Sequence, residues 1–132
     1  MFLVVVVLGV GYWSQTAANN SDQVRRGNEI AACRGDVFAA LSAADAALDQ
    51  ARAEWDLVYG DGLVAVLEGD QAAQDDVVAR IPAEAAKVTA AHDTVGQAAD
   101  AYSEVARMAV EDPQELLDRC RSGSLVTDPE GR

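Results

Sequence analysis

Residues 30–58, IAACRGDVFAALSAADAALDQARAEWDLV, decide the fold of this chain. Apolar side chains recur in this stretch at alternating intervals of four and three residues, with Arg34 as the one interruption. They are Ile30, Val37, Leu41, Ala44, Leu48, Ala51, Trp55 and Val58. A repeat of seven residues with two apolar positions is typical of a long α-helix that packs along a partner helix. The stretch therefore predicts one long, one-sided helix.

A second apolar seam lies later in the chain and has the same period. Its members are Ile81, Val88, Val95, Tyr102 and Ala109, with Ala91, Ala98 and Val105 at the intermediate positions. Two matching seams in one chain predict that the two helices pair with each other. Aromatic residues are only 5% of the chain, so the core is built largely from alanine and the helices must approach closely. We predict an all-α fold, a long antiparallel helical hairpin that is coiled-coil-like, alanine-rich and kinked.

Glycine and proline mark the predicted breaks of this hairpin. The sequence Tyr-Gly-Asp-Gly at residues 59–62 predicts the end of the first helix, because glycine readily adopts the left-handed conformation of a helix C-terminus. A second break is expected at Gly69-Asp70, and Pro82 is expected to start or kink the next helix. The hairpin should therefore reverse somewhere between Gly69 and Pro82.

A short final helix is predicted close to the C-terminus. Asp112-Pro113-Gln114-Glu115 places an N-cap residue, a proline at the first helical position and a glutamate at the third. This helix should run to about Arg121 and close at Gly123. The chain is thus divided into an apolar anchor or signal segment at 1–18, a helical hairpin domain at 19–121 and a flexible tail at 122–132.

Cys33 and Cys120 lie near the two ends of the predicted hairpin. Antiparallel pairing of the two would place the reversal midway between them, inside the stretch from Gly69 to Pro82. A disulfide between them would need an oxidising compartment. Two unpaired cysteines in an apolar seam, or pairing between two molecules, are the alternatives. A metal site is not expected, because two cysteines without CxxC spacing and a single histidine do not form a zinc-binding set.

The chain opens with thirteen residues that carry no charge, MFLVVVVLGVGYW. A membrane-anchor helix is the favoured interpretation, with Tyr12 and Trp13 at the membrane interface. A secretion signal cleaved after Ala18 is the second interpretation, and a strand or helix buried between protomers is the third. Arg25 and Arg26 favour a cytoplasmic body by the positive-inside rule, but the acidic body and the cysteines favour an extracytoplasmic one. We therefore expect a single-pass membrane protein with an extracytoplasmic body.

The net charge of −12 argues against nucleic acid as a partner, since phosphate binding needs clustered Lys and Arg. Residues 36–84 contribute −9 of this charge, so the tip of the hairpin should be strongly acidic. Five carboxylates there are candidates for binding a protein partner: Asp61, Glu68, Asp70, Asp75 and Asp76. Their spacing does not match a calcium loop, and a solvated acidic surface and weak binding of a divalent cation are the alternatives.

Catalytic residues are not recognisable in this sequence. His92-Asp93 resembles an acid-base pair, but no nucleophile or second base accompanies it in a known pattern. We expect neither enzymatic activity nor a cofactor.

The apolar head, the Ala- and Asp-rich helical body and the terminal ELLDRCRSG make the layout similar to small membrane-anchored proteins of actinobacterial phages and their hosts. Phage proteins of this layout often accompany holins and endolysins. The resemblance implies a non-enzymatic envelope protein that engages a protein partner, with a role in phage lysis as one expectation. The alternatives are a secreted or virion-associated helical binding module with an acidic tip, and a soluble oligomeric scaffold.

Overall fold

A computed structural model describes the backbone of residues 2–125 and the side chains of residues 17–125. Three helices account for almost all of that backbone: α1 (Phe2–Glu68), α2 (Gln71–Glu111) and α3 (Pro113–Ser122). The helices α1 and α2 pack against each other over most of the length of α2, and α3 contacts both. The predicted all-α helical hairpin is confirmed.

The hairpin reverses at Gly69-Asp70, one of the two predicted breaks. Gly69 has a φ of +69°, the left-handed conformation that favours glycine. Its N–H donates to the carbonyl of Val66 and the next N–H donates to the carbonyl of Ala65, so two of the last four carbonyls of α1 are satisfied. The Asp70 carboxylate then caps α2 by accepting from the N–H of Ala73 at 3.1 Å. Two residues are enough to end one helix and begin the next.

The predicted break at residues 59–62 is wrong, because α1 continues to Glu68. Gly62 has a helical conformation and faces α2, where a Cβ would lie 3.2 Å from the Cγ1 atom of Val77. This glycine therefore serves the close approach of two helices and not a turn. Pro82 does not start a helix either, since it lies inside α2 on an exposed surface.

The predicted seams form the contact between α1 and α2. All eight members of the first seam are buried or half-buried, and so are all members of the second except Ile81, which is 39% exposed. Alanines at 44, 51 and 65 are among the most buried residues, as a core of closely spaced helices requires.

The base of the hairpin is a three-helix core. Asp112 ends α2 and caps α3, its carboxylate accepting from the N–H of Glu115 at 3.0 Å, and Pro113 follows it. The final helix closes at Gly123, as predicted. Five buried side chains form the core that α3 completes: Val37, Val105, Met108, Leu116 and Leu125.

Cross-helix ion pairs fix the register of these helices. Glu54–Lys87 and Asp61–Arg80 are both centred between residues 70 and 71, at the turn. Arg119–Glu104 is centred beside Asp112, so α3 folds back along α2. The prediction that the reversal lies midway between the cysteines is therefore inaccurate, because Cys120 belongs to a helix that has reversed a second time.

The predicted anchor lies mostly outside the residues whose side chains are described, as do its interface residues Tyr12 and Trp13. Among the described side chains, no helical segment is both long and apolar enough to cross a membrane. The structure shows no separate anchor helix, because α1 runs through the expected boundary at residue 18 without a break. The Ser21 hydroxyl there donates to the carbonyl of Ala18 at 2.9 Å, a bond compatible with a continuing helix. The side chains of residues 17–28 are all exposed, and these residues lie beyond the base of the hairpin.

Candidate binding surface at the hairpin tip

The candidate disulfide is present and closes the base of the hairpin. Cys33 of α1 and Cys120 of α3 are bonded across a sequence separation of 87 residues, with Cα atoms 5.9 Å apart. An ion pair between Arg121 and Glu29, 2.8 Å long, lies on the same side. Leu117, which is 1% exposed, lines the same small cavity as the two cysteines. The bridge thus holds α3 against α1 at the base, whereas the opposite end of the hairpin is joined by the turn, buried seam residues and the ion pair between Asp61 and Arg80.

The five acidic residues predicted for the tip all lie near the turn, but they do not act as one group. Asp61 and Asp76 are brought together by Arg80, which lies 3.0 Å from the first carboxylate and 3.2 Å from the second. The hydrogen bond to Asp61 is the main cause that raises the pKa of Arg80 above its ordinary value. Asp61 therefore links α1 to α2, whereas Asp76 pairs with Arg80 within α2.

The other three acidic residues have no basic partner among the described residues. Asp75 accepts a hydrogen bond from Gln71 at 3.0 Å, and Asp70 is committed to capping α2. Glu68 is the last residue of α1 and is exposed. Residues 55–81 hold six carboxylates and one basic residue, so the tip carries a net charge of −5.

An apolar groove lies beside these carboxylates, and the sequence-based interpretation missed it. Its volume is about 290 Å³, and ten residues from both long helices line it. The lining consists of Trp55, Val58, Tyr59, Gly62, Leu63, Val66, Gln74, Val77, Val78 and Ile81. Several of these side chains are largely open to solvent: Tyr59 is 64% exposed, Val66 63% and Val78 65%.

The local sequence explains why this groove is open. In residues 63–67, LVAVL, every position is apolar, so a single partner helix can bury only part of them. Ala65 faces α2 and is buried, whereas Leu67 is 85% exposed. A signal was therefore present: the tip has more apolar positions than a two-helix seam can cover. Contiguous exposed apolar surface of this kind marks interaction sites in soluble domains.

The arrangement is suited to binding a partner. The groove is lined by apolar side chains, the phenol of Tyr59 and the amide of Gln74, and none of its ten lining residues is charged. His92 is exposed on α2, eleven residues beyond the groove residue Ile81. Among the described residues, no three His, Cys, Asp or Glu side chains converge in a way that could hold a metal ion.

Comparisons of the chain with protein-family models, with curated proteins and with solved structures gave no match.

Proposed function

We propose that this chain is a non-enzymatic envelope protein whose extracytoplasmic helical hairpin engages a protein partner through the groove at its tip. The observation that carries the proposal is the exposed apolar groove at the end of the hairpin opposite the disulfide. A protein that used only its base would have no need of Val66 and Val78, which are both more than half exposed. Such side chains are tolerated singly, but a groove built from them fits a binding role.

The disulfide supports an extracytoplasmic location. Bridges of this kind persist in oxidising compartments and are rare in the reducing cytosol. The apolar segment at residues 1–18 would hold the hairpin on the membrane in our proposal, and export with cleavage after Ala18 would present the same tip in soluble form. Association with phage lysis stays a prediction.

The hairpin also provides reach. The tip lies about 60 Å from the base, since α2 has 41 residues and a helix rises about 1.5 Å per residue. The paired helices form a stiff rod, because ion pairs and buried seam residues connect them along its length. The tip groove is thus displayed well away from whatever surface the N-terminus contacts.

Site-specific photocrosslinking tests this proposal. A photoreactive phenylalanine analogue replaces Tyr59 at the tip, and the same analogue replaces Val110, which is 85% exposed and lies near the base, in a matched control. Both variants are expressed with the N-terminal segment intact and illuminated in cells. We expect a discrete protein adduct from position 59 and none from position 110. The absence of any adduct from position 59, or identical adducts from both positions, would contradict a tip-directed binding role.

A further inference from the structure

We infer that the partner segment that occupies the tip groove is a basic amphipathic α-helix. This inference depends on the proposed function and adds the chemistry of the partner. Two independent features of the structure lead to it, the charge around the groove and the way in which the hairpin binds its own third helix.

The charge of the tip determines the sign of the charge that a partner should carry. The one basic residue at the tip, Arg80, is already paired with two carboxylates. Asp56 and Asp75 directly follow the groove residues Trp55 and Gln74 in the sequence, and neither has a basic partner among the described residues. A ligand that fills the groove therefore binds in a tip region whose net charge is −5. Lysine or arginine next to the apolar contacts would neutralise that charge, whereas a second copy of the same tip would bring another −5.

The length of the groove fits a short helix as the partner segment. On α1 the lining runs from Trp55 to Val66, which is about 17 Å or three helical turns. The lining positions on α1 follow intervals of three and four residues, so they form a stripe along the helix axis. An amphipathic helix of about three turns laid along such a stripe buries its apolar face in the way that helix-in-groove complexes do.

The base of the hairpin shows this mode of binding within the chain itself. The ten-residue α3 inserts Leu116 and Leu117 against α1 and α2, and both are at most 1% exposed. Its arginines then pair with carboxylates of the long helices, Arg119 with Glu104 and Arg121 with Glu29. The pair α1–α2 thus already binds one short helix through leucines flanked by arginines. At the tip, no segment of the described chain occupies the corresponding place.

The probe for a test is a synthetic peptide of about five helical turns with leucines at i, i+3, i+4 and i+7 and lysine at the flanking positions. The comparison peptide carries glutamate at every lysine position. Binding to the full-length, oxidised protein is measured by the change in peptide fluorescence anisotropy. We expect the lysine peptide to bind at least about tenfold more tightly than the glutamate peptide.

Matched protein variants separate groove binding from general attraction to an acidic protein. Val66→Asp and Val110→Asp make the same change in charge, one in the groove and one at the base. We expect Val66→Asp to lower the affinity for the lysine peptide at least about tenfold, and Val110→Asp to leave that affinity unchanged or to raise it slightly. A second variant, Asp56→Asn with Asp75→Asn, leaves the groove intact and should weaken binding and reduce its salt dependence. Thermal unfolding of each variant confirms that the hairpin remains folded.

Three results would overturn the inference. They are equal binding of the lysine and glutamate peptides, equal loss of binding in Val66→Asp and Val110→Asp, and a concentration-dependent dimer of the protein alone that Val66→Asp abolishes. The last result would identify a second copy as the occupant. Failure here together with a specific adduct from position 59 leaves the proposed binding function intact, whereas absence of that adduct removes the function itself.

Discussion

Removal of the disulfide by Cys33→Ser with Cys120→Ser should lower the stability of the hairpin strongly without abolishing its fold. The bridge joins residues 87 positions apart, so in the unfolded chain it closes a very long loop. The chain-entropy model gives about 4–5 kcal/mol for a loop of this length. The folded state should survive the change, since Leu116 and Leu117 remain buried and the ion pair between Arg121 and Glu29 does not depend on the bridge.

This loss can be measured as a change in melting temperature. For a domain of this size, 1 kcal/mol corresponds to about 4 °C, so the double variant should melt about 15–20 °C below the oxidised protein. Far-UV circular dichroism follows the unfolding of the helices, and measurements with and without a reductant provide the control. Reduction should lower the melting temperature of the wild-type protein by a similar amount and should not change that of the variant. A difference of less than about 4 °C between the oxidised protein and the variant would refute the long-loop argument.

Three further predictions concern the turn, the base and the ion pairs between the helices. Gly69→Ala should destabilise the protein by about 1 kcal/mol because the backbone at this position is left-handed. Gly96→Ala, on an exposed helical surface, should stabilise the protein by about 0.5–1 kcal/mol. Unfolding in denaturant compares the two variants. Leu116→Ala should cost about 2–4 kcal/mol in the same assay, since the side chain is 0% exposed and its removal opens a cavity in the base, and a cost below about 1 kcal/mol would show that α3 is not packed as described. The hydrogen bond from Lys87 lowers the pKa of Glu54 below its ordinary value of 4.5, so the ionised carboxylate stabilises the fold above that pH. This stabilisation is lost as the pH falls through the lowered pKa. Glu54→Gln should flatten this part of a stability-pH profile, and an unchanged profile would contradict the pairing.

The heptad seams made the main architecture predictable from the sequence. Val37, Ala44 and Val58 are spaced so that one face of α1 must be covered, and a second seam of the same period was available to cover it. The cap signals were also sufficient, because Asp112 and Gly123 act locally through their own side chain or backbone. These features depend on neighbours in the sequence, which is why they can be read without a structure.

The errors arose where the role of a residue depends on tertiary packing. Gly62 has the same sequence signature as a turn glycine, yet it lies inside α1. The packing of α2 explains the missing side chain, because a Cβ at this position would lie 3.2 Å from the Cγ1 atom of Val77. The second reversal at Asp112 was visible as a helix boundary but not as a change of direction, so the cysteines suggested a turn several residues too late. The tip groove was not predicted, because a helical repeat shows which positions are apolar but not whether the partner helix covers them.

We propose that the disulfide closes the base of the hairpin in an oxidising compartment and that the hairpin presents its tip for binding. The most direct measurement is the intact mass of the protein isolated from cells and treated with an alkylating reagent, once before and once after reduction. We expect Cys33 and Cys120 to take up alkyl groups only after reduction, in protein recovered from the envelope or the medium. Alkylation of both cysteines without reduction, in uncleaved protein from the cytoplasm, would contradict it.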